Sequence, residues 1–262
     1  TSNDTYLKAN KLVSPIIKNY DVLENSFNLE LSKDDLFIDT EFTAYETLNK
    51  DKSDRYEFIL PKIDITKKIQ NKTRLKGNFT FDSSNLIKNY QTNILEKVNI
   101  NNLKFNSNPQ ITKKGIYSNY DFIVKNVNTD SQNSNNYKQD ENYYLSGLFQ
   151  FNSSLPMVKD FSNKQNILKP KLTIKIAPND TKNIRNDTNR LDVNNLFSLD
   201  RISSNDTLEG GVSMAYGNDF TIFSKSESRE ILSLKIANNL RFDQNKDLPI
   251  NNQIGQKTSN IF

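Results

Sequence analysis

With 262 residues and neither cysteine nor histidine, the chain is long enough for a substantial fold but excludes disulfides, Cys/His metal sites and histidine acid–base catalysis. Its 35 basic and 31 acidic residues leave a net charge of +4, scattered without the basic stripe typical of nucleic-acid binding. Only 35% of the residues are hydrophobic, yet 16 Phe and 11 Tyr argue against disorder. This composition favours β-strands with one apolar and one polar face.

In the first half of the chain, residues 1–24 show no clear period and receive no assignment. From residue 36 onward, Leu36, Ile38 and Phe42 alternate with Asp39 and Glu41, whereas a helix would need apolar residues at spacings of three and four. The pattern predicts strands, with ends uncertain by about two to four residues, near 25–32, 35–48, 54–65, 72–81, 90–105 and 113–125.

In the second half the alternation is clearer, with rows of apolar side chains that start at Tyr143, Leu168 and Leu232. One phase is also kept from Thr207 to Ser224, which favours a single long strand over two strands joined by a turn at residues 217–218. Together the two halves predict about ten or eleven strands. No run of apolar residues is long enough for a transmembrane helix.

The connections between these strands are predicted to alternate in length. Long polar segments are expected at Asn126–Glu141, Pro178–Asp206 and Asp243–Ser259, and shorter ones at Pro156–Gln165 and Lys225–Arg229. Such alternation is typical of outer-membrane barrels, and compact soluble domains rarely carry loops this long. We therefore expect an all-β fold, an antiparallel transmembrane β-barrel segment in which residues 1–262 form part of one larger barrel domain.

The polar rows of these strands are expected to face water inside the barrel, because the apolar rows face lipid. The neighbouring carboxylates Asp39 and Glu41 are therefore interpreted as lumen residues and not as a catalytic pair. We expect no enzymatic activity, no cofactor and no metal site. The predicted lumen-facing residues are Asp39, Glu41, Ser146, Lys171, Lys175, Glu209 and Ser213.

Two stretches resemble the LptD family (also called OstA) of outer-membrane lipopolysaccharide-assembly proteins. The first runs from Asn195-Leu196-Phe197 through Asp200-Arg201 to Glu209-Gly210-Gly211, although the family tends to have Asn, Phe, Gly and Arg at the positions of Asp200, Ile202, Ser204 and Thr207. The second is Arg55-Tyr56-Glu57 followed by Leu60-Pro61. The positions that match the family motifs are Arg55, Tyr56, Glu57, Pro61, Asn195, Phe197, Arg201, Asp206, Glu209, Gly210 and Gly211.

This resemblance implies the C-terminal part of a very large barrel in the Gram-negative outer membrane, with fewer than half of its strands present here. It implies a translocation barrel that inserts lipopolysaccharide into the outer leaflet through a lateral opening. The implied partners are lipopolysaccharide, outer-membrane lipid, an LptE-like plug lipoprotein, and periplasmic Lpt bridge components that act through a jelly-roll domain. The start at Thr1 predicts an internal piece of a longer protein. Another outer-membrane barrel (a porin or receptor) and a soluble extracellular structural or adhesive β protein remain as alternatives.

Overall fold

The computed structural model describes residues 4–10, 20–50, 54–71, 74–188, 190–202 and 204–262. Apart from the short helix α1 (Tyr6–Asn10), the regular structure in these ranges is β. No helix among them is long and apolar enough to cross a membrane. The strands are β1 (Val22–Lys33), β2 (Leu36–Thr47), β3 (Tyr56–Ile69), β4 (Gly77–Tyr90), β5 (Ile94–Ser107), β6 (Gln110–Ile111), β7 (Tyr117–Gln132), β8 (Asp140–Ser154), β9 (Met157–Asp160), β10 (Lys164–Ala177), β11 (Gly211–Ser224) and β12 (Arg229–Arg241).

These strands form one 12-stranded sheet in the order β1-β2-β3-β4-β5-β7-β8-β10-β11-β12, with β6 beside β7 and β9 beside β10. Neighbours pair antiparallel, as in the unbroken ladders of β1 with β2 and of β10 with β11. Antiparallel pairing gives the backbone groups partners on adjacent strands, which is a condition for β structure in lipid. The prediction of an all-β antiparallel sheet is confirmed.

Three predicted boundaries are wrong. The expected loop Asn126–Glu141 is mostly strand, because β7 continues to Gln132 and β8 begins at Asp140. β4 spans Gly77–Tyr90 and not 72–81, and β11 begins at Gly211 and not at Thr207. In β4 and β7 polar side chains stand on both faces, so the apolar period on which the prediction relied is absent there. Within β11, Gly217 pairs with Lys171, so the single long strand was the correct choice over a turn.

The connections alternate in length less than predicted. Only residues 133–139 separate β7 from β8, whereas residues 178–210 separate β10 from β11. The prediction of a long loop at Asn126–Glu141 is therefore wrong, whereas a long connection is present at Pro178–Asp206.

The described residues fall into two compact units. Unit 1 comprises Thr1–Ile69, Thr80–Asn102 and Asn126–Leu145, and unit 2 comprises Gln70–Phe79, Leu103–Lys125 and Ser146–Phe262. The assignment of the whole chain to one barrel domain stays a prediction.

In unit 1 the two faces of the first strands differ in polarity. Phe27, Leu29 and Leu31 of β1 are all more than half exposed, as is typical of side chains that need a cover of lipid or protein. On the other face Asp39 pairs in register with Asp64, and Glu41 pairs with Lys62. The alternation therefore sorts apolar and charged residues onto opposite faces.

In unit 2 the polarity is the reverse of a soluble protein. Leu232, Leu234 and Ile236 on β12 are 47%, 52% and 50% exposed, whereas Asn239 of the same strand is fully buried. On β11, Tyr216 is exposed and Ser213 is 1% exposed. Apolar rows therefore lie on the open face of these strands, as expected where an outer face meets lipid. The opposite row is covered at Ser213 and at residues 237–241 of β12, whereas Ser233 and Lys235 of that row are exposed.

Candidate functional site

A loop covers the polar face of the strands in unit 2. We use the name β10–β11 loop for residues 178–210, of which 178–188, 190–202 and 204–210 are described. Lys175 Nζ donates a hydrogen bond to the Leu199 carbonyl at 3.0 Å and another to the Ser198 carbonyl. Gln150 Nε2 donates to the Phe197 carbonyl at 3.1 Å. Polar strand side chains therefore serve as donors that fix the loop backbone.

Glu209 lies at the centre of a buried ion cluster, formed with Arg201, Arg241 and Lys175. Arg201 donates from Nε to Glu209 Oε2 at 2.6 Å and from Nη2 to Oε1 at 2.7 Å. Arg241 Nη1 donates to Oε1 at 2.7 Å, and Lys175 Nζ lies 3.9 Å from Oε2. The forked pair with Arg201 uses both carboxylate oxygens, which is the strongest geometry available to such a pair.

Polar neighbours accept further hydrogen bonds from the two arginines, although Arg241 Nε has no partner among the described residues. Arg201 also donates to Ser213 Oγ at 2.8 Å and to the Leu196 carbonyl at 3.1 Å. Arg241 Nη2 donates to the Gly210 carbonyl. The cluster thereby joins the loop at Leu196, Arg201 and Glu209 to strands β10, β11 and β12.

The charges of the ion cluster explain the ionisation of its carboxylate. Burial alone would raise the pKa of Glu209, but the nearby guanidinium of Arg201, with Lys175 and Arg241, outweighs burial and holds the pKa well below its usual value. A depressed pKa means that the stabilisation is present at neutral pH and is lost only when the pH falls far below the usual range for glutamate. Glu209 is therefore ionised under physiological conditions.

Gly210 and Gly211 are required where the loop enters β11. A Cβ on Gly210 would lie 2.2 Å from the Asn179 carbonyl oxygen, and the Gly210 N–H donates to Thr181 Oγ1 at 2.7 Å. Gly211 has φ +89°, a left-handed conformation that side chains rarely adopt. The Gly-Gly pair of the motif thus permits a close backbone approach followed by a turn into the strand.

The loop also brings an apolar core of its own. Leu196 and Ile254 are fully buried in a cluster that includes Ala215 of β11 and Ala237 of β12. The loop contacts the segment after β12, since the Ile184 N–H donates to the Asp247 carbonyl at 2.8 Å. Because small alanines face the loop, its larger side chains can pack close to the sheet. Both polar and apolar contacts therefore hold the loop in place.

The other motif positions in this stretch stabilise the loop internally. Asn195 Nδ2 donates to the Arg190 carbonyl at 2.9 Å, and Asp206 accepts hydrogen bonds from Lys182 at 2.5 Å and from Ser204 at 2.6 Å. The ammonium nitrogen of Lys171 lies 4.5 Å from the centroid of the Phe197 ring, and it also pairs with Asp219 at 2.8 Å.

The second motif lies in unit 1 and bonds within it. Arg55 Nε donates to Glu46 at 2.7 Å and Nη1 donates to Asp4 at 3.1 Å. The Tyr56 hydroxyl donates to Glu46 at 3.3 Å, and Glu57 pairs with Lys88 at 2.9 Å. Pro61 follows Leu60 opposite the register shift between Glu41 and Thr43. Arg55, Tyr56 and Glu57 therefore lie at the start of β3, and Pro61 lies at its irregular part.

The structure places the predicted lumen residues in two environments. Lys175 and Ser213 are 1–2% exposed and bond to the β10–β11 loop, and Lys171 lies beside Phe197 of the same loop. Ser146 on β8 is 2% exposed. Asp39 and Glu41 are half-buried on the polar face of unit 1, where Glu41 accepts a hydrogen bond from Thr43 at 2.5 Å. Their role as lumen residues stays a prediction.

Sequence reasoning did not identify Arg241 and Thr181 as site residues. Arg241 is the last residue of the polar row of β12, so the sequence indicated on which face of the strand it lies. The sequence did not indicate that Arg241 pairs with a glutamate on a distant loop. Thr181 lies in the loop, and its hydroxyl accepts from Gly210 and from Asn245 Nδ2 at 3.1 Å. The one signal in the sequence that could have identified Arg241 is its position as a charged residue at the end of a polar strand row.

The burial of Asp200 in the β10–β11 loop predicts that the stability of the loop depends on pH. Burial raises the pKa of this carboxyl group above its usual value, although the Ile202 N–H and the ammonium of Lys125 oppose the change. Since a raised pKa means stability that is lost as the pH rises through it, Asp200→Asn should stabilise the loop at neutral pH and have little effect at low pH. Amide hydrogen-exchange protection factors for residues 196–202 at both pH values measure this. An equal effect at the two pH values would contradict it.

Comparison with known protein families identifies a match over almost the whole chain. The family model described as LptD, LPS transport system D, matches residues 1–261. No curated protein matches the chain.

Proposed function

The chain belongs to the LptD family of lipopolysaccharide transport proteins of the outer membrane, and from this premise we propose that it forms part of a translocation barrel that inserts lipopolysaccharide into the outer leaflet. Family membership favours this role over that of a porin, a receptor or a soluble adhesive protein. Such a role is transport and assembly, and it requires no catalytic group.

The distribution of polarity in unit 2 is the observation that carries the proposal. Strand rows such as Leu232, Leu234 and Ile236 are exposed, while the ion cluster and the β10–β11 loop occupy the opposite face. A soluble sandwich would bury those leucines between two sheets. Lipid outside and a hydrated interior account for both faces at once.

The β10–β11 loop acts in this proposal as a fixed element of the barrel interior. The bonds of Glu209 to Arg201 and Arg241 would keep it folded against the wall while a large glycolipid passes. We further propose that an LptE-like lipoprotein contributes the rest of the interior and that periplasmic Lpt components deliver the substrate through a jelly-roll domain. The loop would then be one surface that the lipoprotein contacts.

Neighbouring residues on β2 offer a direct test of the two faces. Asp39 lies on the polar face of unit 1, and Thr40 lies on the opposite face of the same strand. A photo-crosslinking amino acid at position 39 should capture lipopolysaccharide only while upstream components supply it. At position 40 it should capture membrane lipid whether or not transport is running. Supply-dependent capture at position 40 and not at position 39 would reject the proposed interior route.

A charge on the exposed row of β12 should prevent membrane insertion. In the register, Leu234 lies opposite Phe220, and its side chain is 52% exposed. We expect Leu234→Arg to destabilise the folded barrel by about 2–4 kcal/mol, the value for an arginine on the lipid face at the bilayer midplane. The heat-modifiable electrophoretic mobility of the barrel in membranes measures the folded fraction. Lys235→Arg on the other face is the matched control and should fold normally.

A further inference from the structure

Within unit 1, a patch of amide side chains interrupts the apolar face of the sheet. It consists of Ser83, Asn85, Asn99, Asn101, Asn126 and Asn128, and we call it the asparagine patch. Its orientation follows from β4, where Asp82 and Ser84 bond to Thr66 and Asp64 on the polar face. Ser83 and Asn85 alternate with these residues and therefore point to the opposite face.

The amides of the asparagine patch form a continuous hydrogen-bond network. Ser83 Oγ donates to Asn101 Oδ1 at 2.7 Å, and Asn101 Nδ2 donates to Asn99 Oδ1 at 2.6 Å and to Asn126 Oδ1 at 3.2 Å. Asn128 Nδ2 donates to Asn99 Oδ1 at 2.9 Å and to Asn126 Oδ1 at 2.8 Å. Network formation fixes the direction in which each amide presents its N–H groups and its oxygen.

The network leaves these amides able to form further hydrogen bonds. A carboxamide has two N–H donors and two acceptor lone pairs. The network uses both lone pairs of Asn99 and both N–H groups of Asn128, which leaves one N–H of Asn99 and one lone pair of Asn128. Asn85, Asn99 and Asn128 are each half-buried and reachable from outside. Polar groups in contact with hydrocarbon alone would be costly. A polar ligand that completes their hydrogen bonds would remove that cost.

The position of the patch along the strands is consistent with the headgroup level of a membrane. β7 has 16 residues, whereas a strand crosses the hydrocarbon core with about 9–11. At least one end of the strand must therefore extend beyond the hydrocarbon. Asn126 and Asn128 lie in the last part of β7, next to the connection 133–139.

A groove of about 600 Å³ lies over this patch, within the range of about 300–1,000 Å³ usual for small-ligand sites. Asn85, Asn99 and Asn128 line it together with Ile87, whose apolar side chain is exposed. The exposed ring of Tyr143 stands at its border. Oriented amides beside an aromatic ring suit a sugar, whose hydroxyl groups both donate and accept and whose ring has an apolar face.

The charges at the groove disfavour an anionic ligand. Lys97 pairs with Asp130 at 2.8 Å, so its charge is already neutralised. Glu141 also lines the groove and leaves it with one net negative charge. A phosphate group would meet this carboxylate without a free cation among the described lining residues.

We propose that the asparagine patch and its groove bind the neutral sugar part of a glycolipid headgroup in the adjoining leaflet. The glycolipid of the proposed function is lipopolysaccharide, so this inference rests on that function. The site would hold the headgroup beside the barrel, with the acyl chains against the apolar rows of the same face.

The test places a photo-crosslinking amino acid at Tyr143 in the full-length protein with its partners, in nanodiscs that contain equal amounts of lipopolysaccharide and phosphatidylglycerol. Lipopolysaccharide should dominate the crosslinks, and removal of its phosphates should not reduce them. The pair Asn99→Leu and Asn128→Leu should lower the yield roughly five- to tenfold, as expected for the loss of two hydrogen bonds. Asn78→Leu, an exposed position of β4 outside the groove, is the matched control.

Equal labelling of both lipids at position 143, or an unchanged yield in the double variant, would overturn the proposed sugar site. A crosslinker at Leu234 should label both lipids in every background, which verifies that the double variant is folded. Surface delivery of lipopolysaccharide is measured separately in cells. Normal delivery with no preference at position 143 rejects the sugar site alone, and sugar-dependent labelling by a protein that delivers no lipopolysaccharide rejects the transport function alone.

Discussion

Replacement of Glu209 by glutamine should release the β10–β11 loop from the polar face of the strands. The substitution keeps the shape of the side chain but removes the only carboxylate that contacts Arg201 and Arg241 in the described ion cluster. Buried cations without a counter-charge destabilise by about 3–5 kcal/mol. Hydrogen exchange at residues 196–202 should accelerate by roughly 100-fold or more, since each 1.4 kcal/mol corresponds to a factor of ten.

An exposed glutamate provides the control for this experiment. Glu227 pairs with Arg229, and both side chains are more than half exposed. Because exposed ion pairs contribute little to stability, Glu227→Gln should leave hydrogen exchange of the loop unchanged. If Glu209→Gln behaved like Glu227→Gln, the ion cluster would not be what holds the loop. Cells with Glu209→Gln should also become sensitive to large hydrophobic antibiotics if the loop is needed for transport.

Gly210→Ala should open the junction between the loop and β11. The added methyl group would lie 2.2 Å from the Asn179 carbonyl oxygen and 3.0 Å from the Thr181 nitrogen, both of which are backbone atoms that cannot rotate away. Such overpacking destabilises by about 1–3 kcal/mol. The expected result is faster exchange of the backbone amide at position 210, whose hydrogen bond to Thr181 would be broken, and increased protease cleavage within residues 178–188.

Gly147→Ala is the matched control for that clash. A Cβ at Gly147 would lie 3.8 Å from the Ile123 carbonyl oxygen, which is an ordinary contact distance. This variant should fold and protect the loop like the unchanged protein. Similar protease patterns for the two alanine variants would show that the loop tolerates a side chain at Gly210 and that the close approach is not essential.

The sequence by itself determined the fold class and the two faces of most strands. The rows at Leu36–Ala44 and Leu232–Phe242 could be assigned because an apolar side chain recurs at every second residue, and side-chain direction in a strand depends only on that period. The family motif likewise identified Arg201, Glu209 and the two glycines as positions of interest. Local patterns were sufficient for each of these conclusions.

Where both faces of a strand are polar, the same reasoning failed. Asn126, Asn128 and Asp130 suggested a loop, although they are the outward row of β7. Without an apolar row there is no local signal that separates such a strand from a polar loop. Backbone pairing with β5 and β8 decides the matter, and pairing partners are distant in sequence.

Only the tertiary structure decided what the motif residues do. Glu209 meets Arg241 across an interval of 32 residues, and the loop that carries it bonds to side chains of β8, β10, β11 and β12. Burial turns these charges into a mutually dependent set, because each of them needs the others once water is removed. A period of two can show which way a side chain points, but it carries no information about which distant charge it will face.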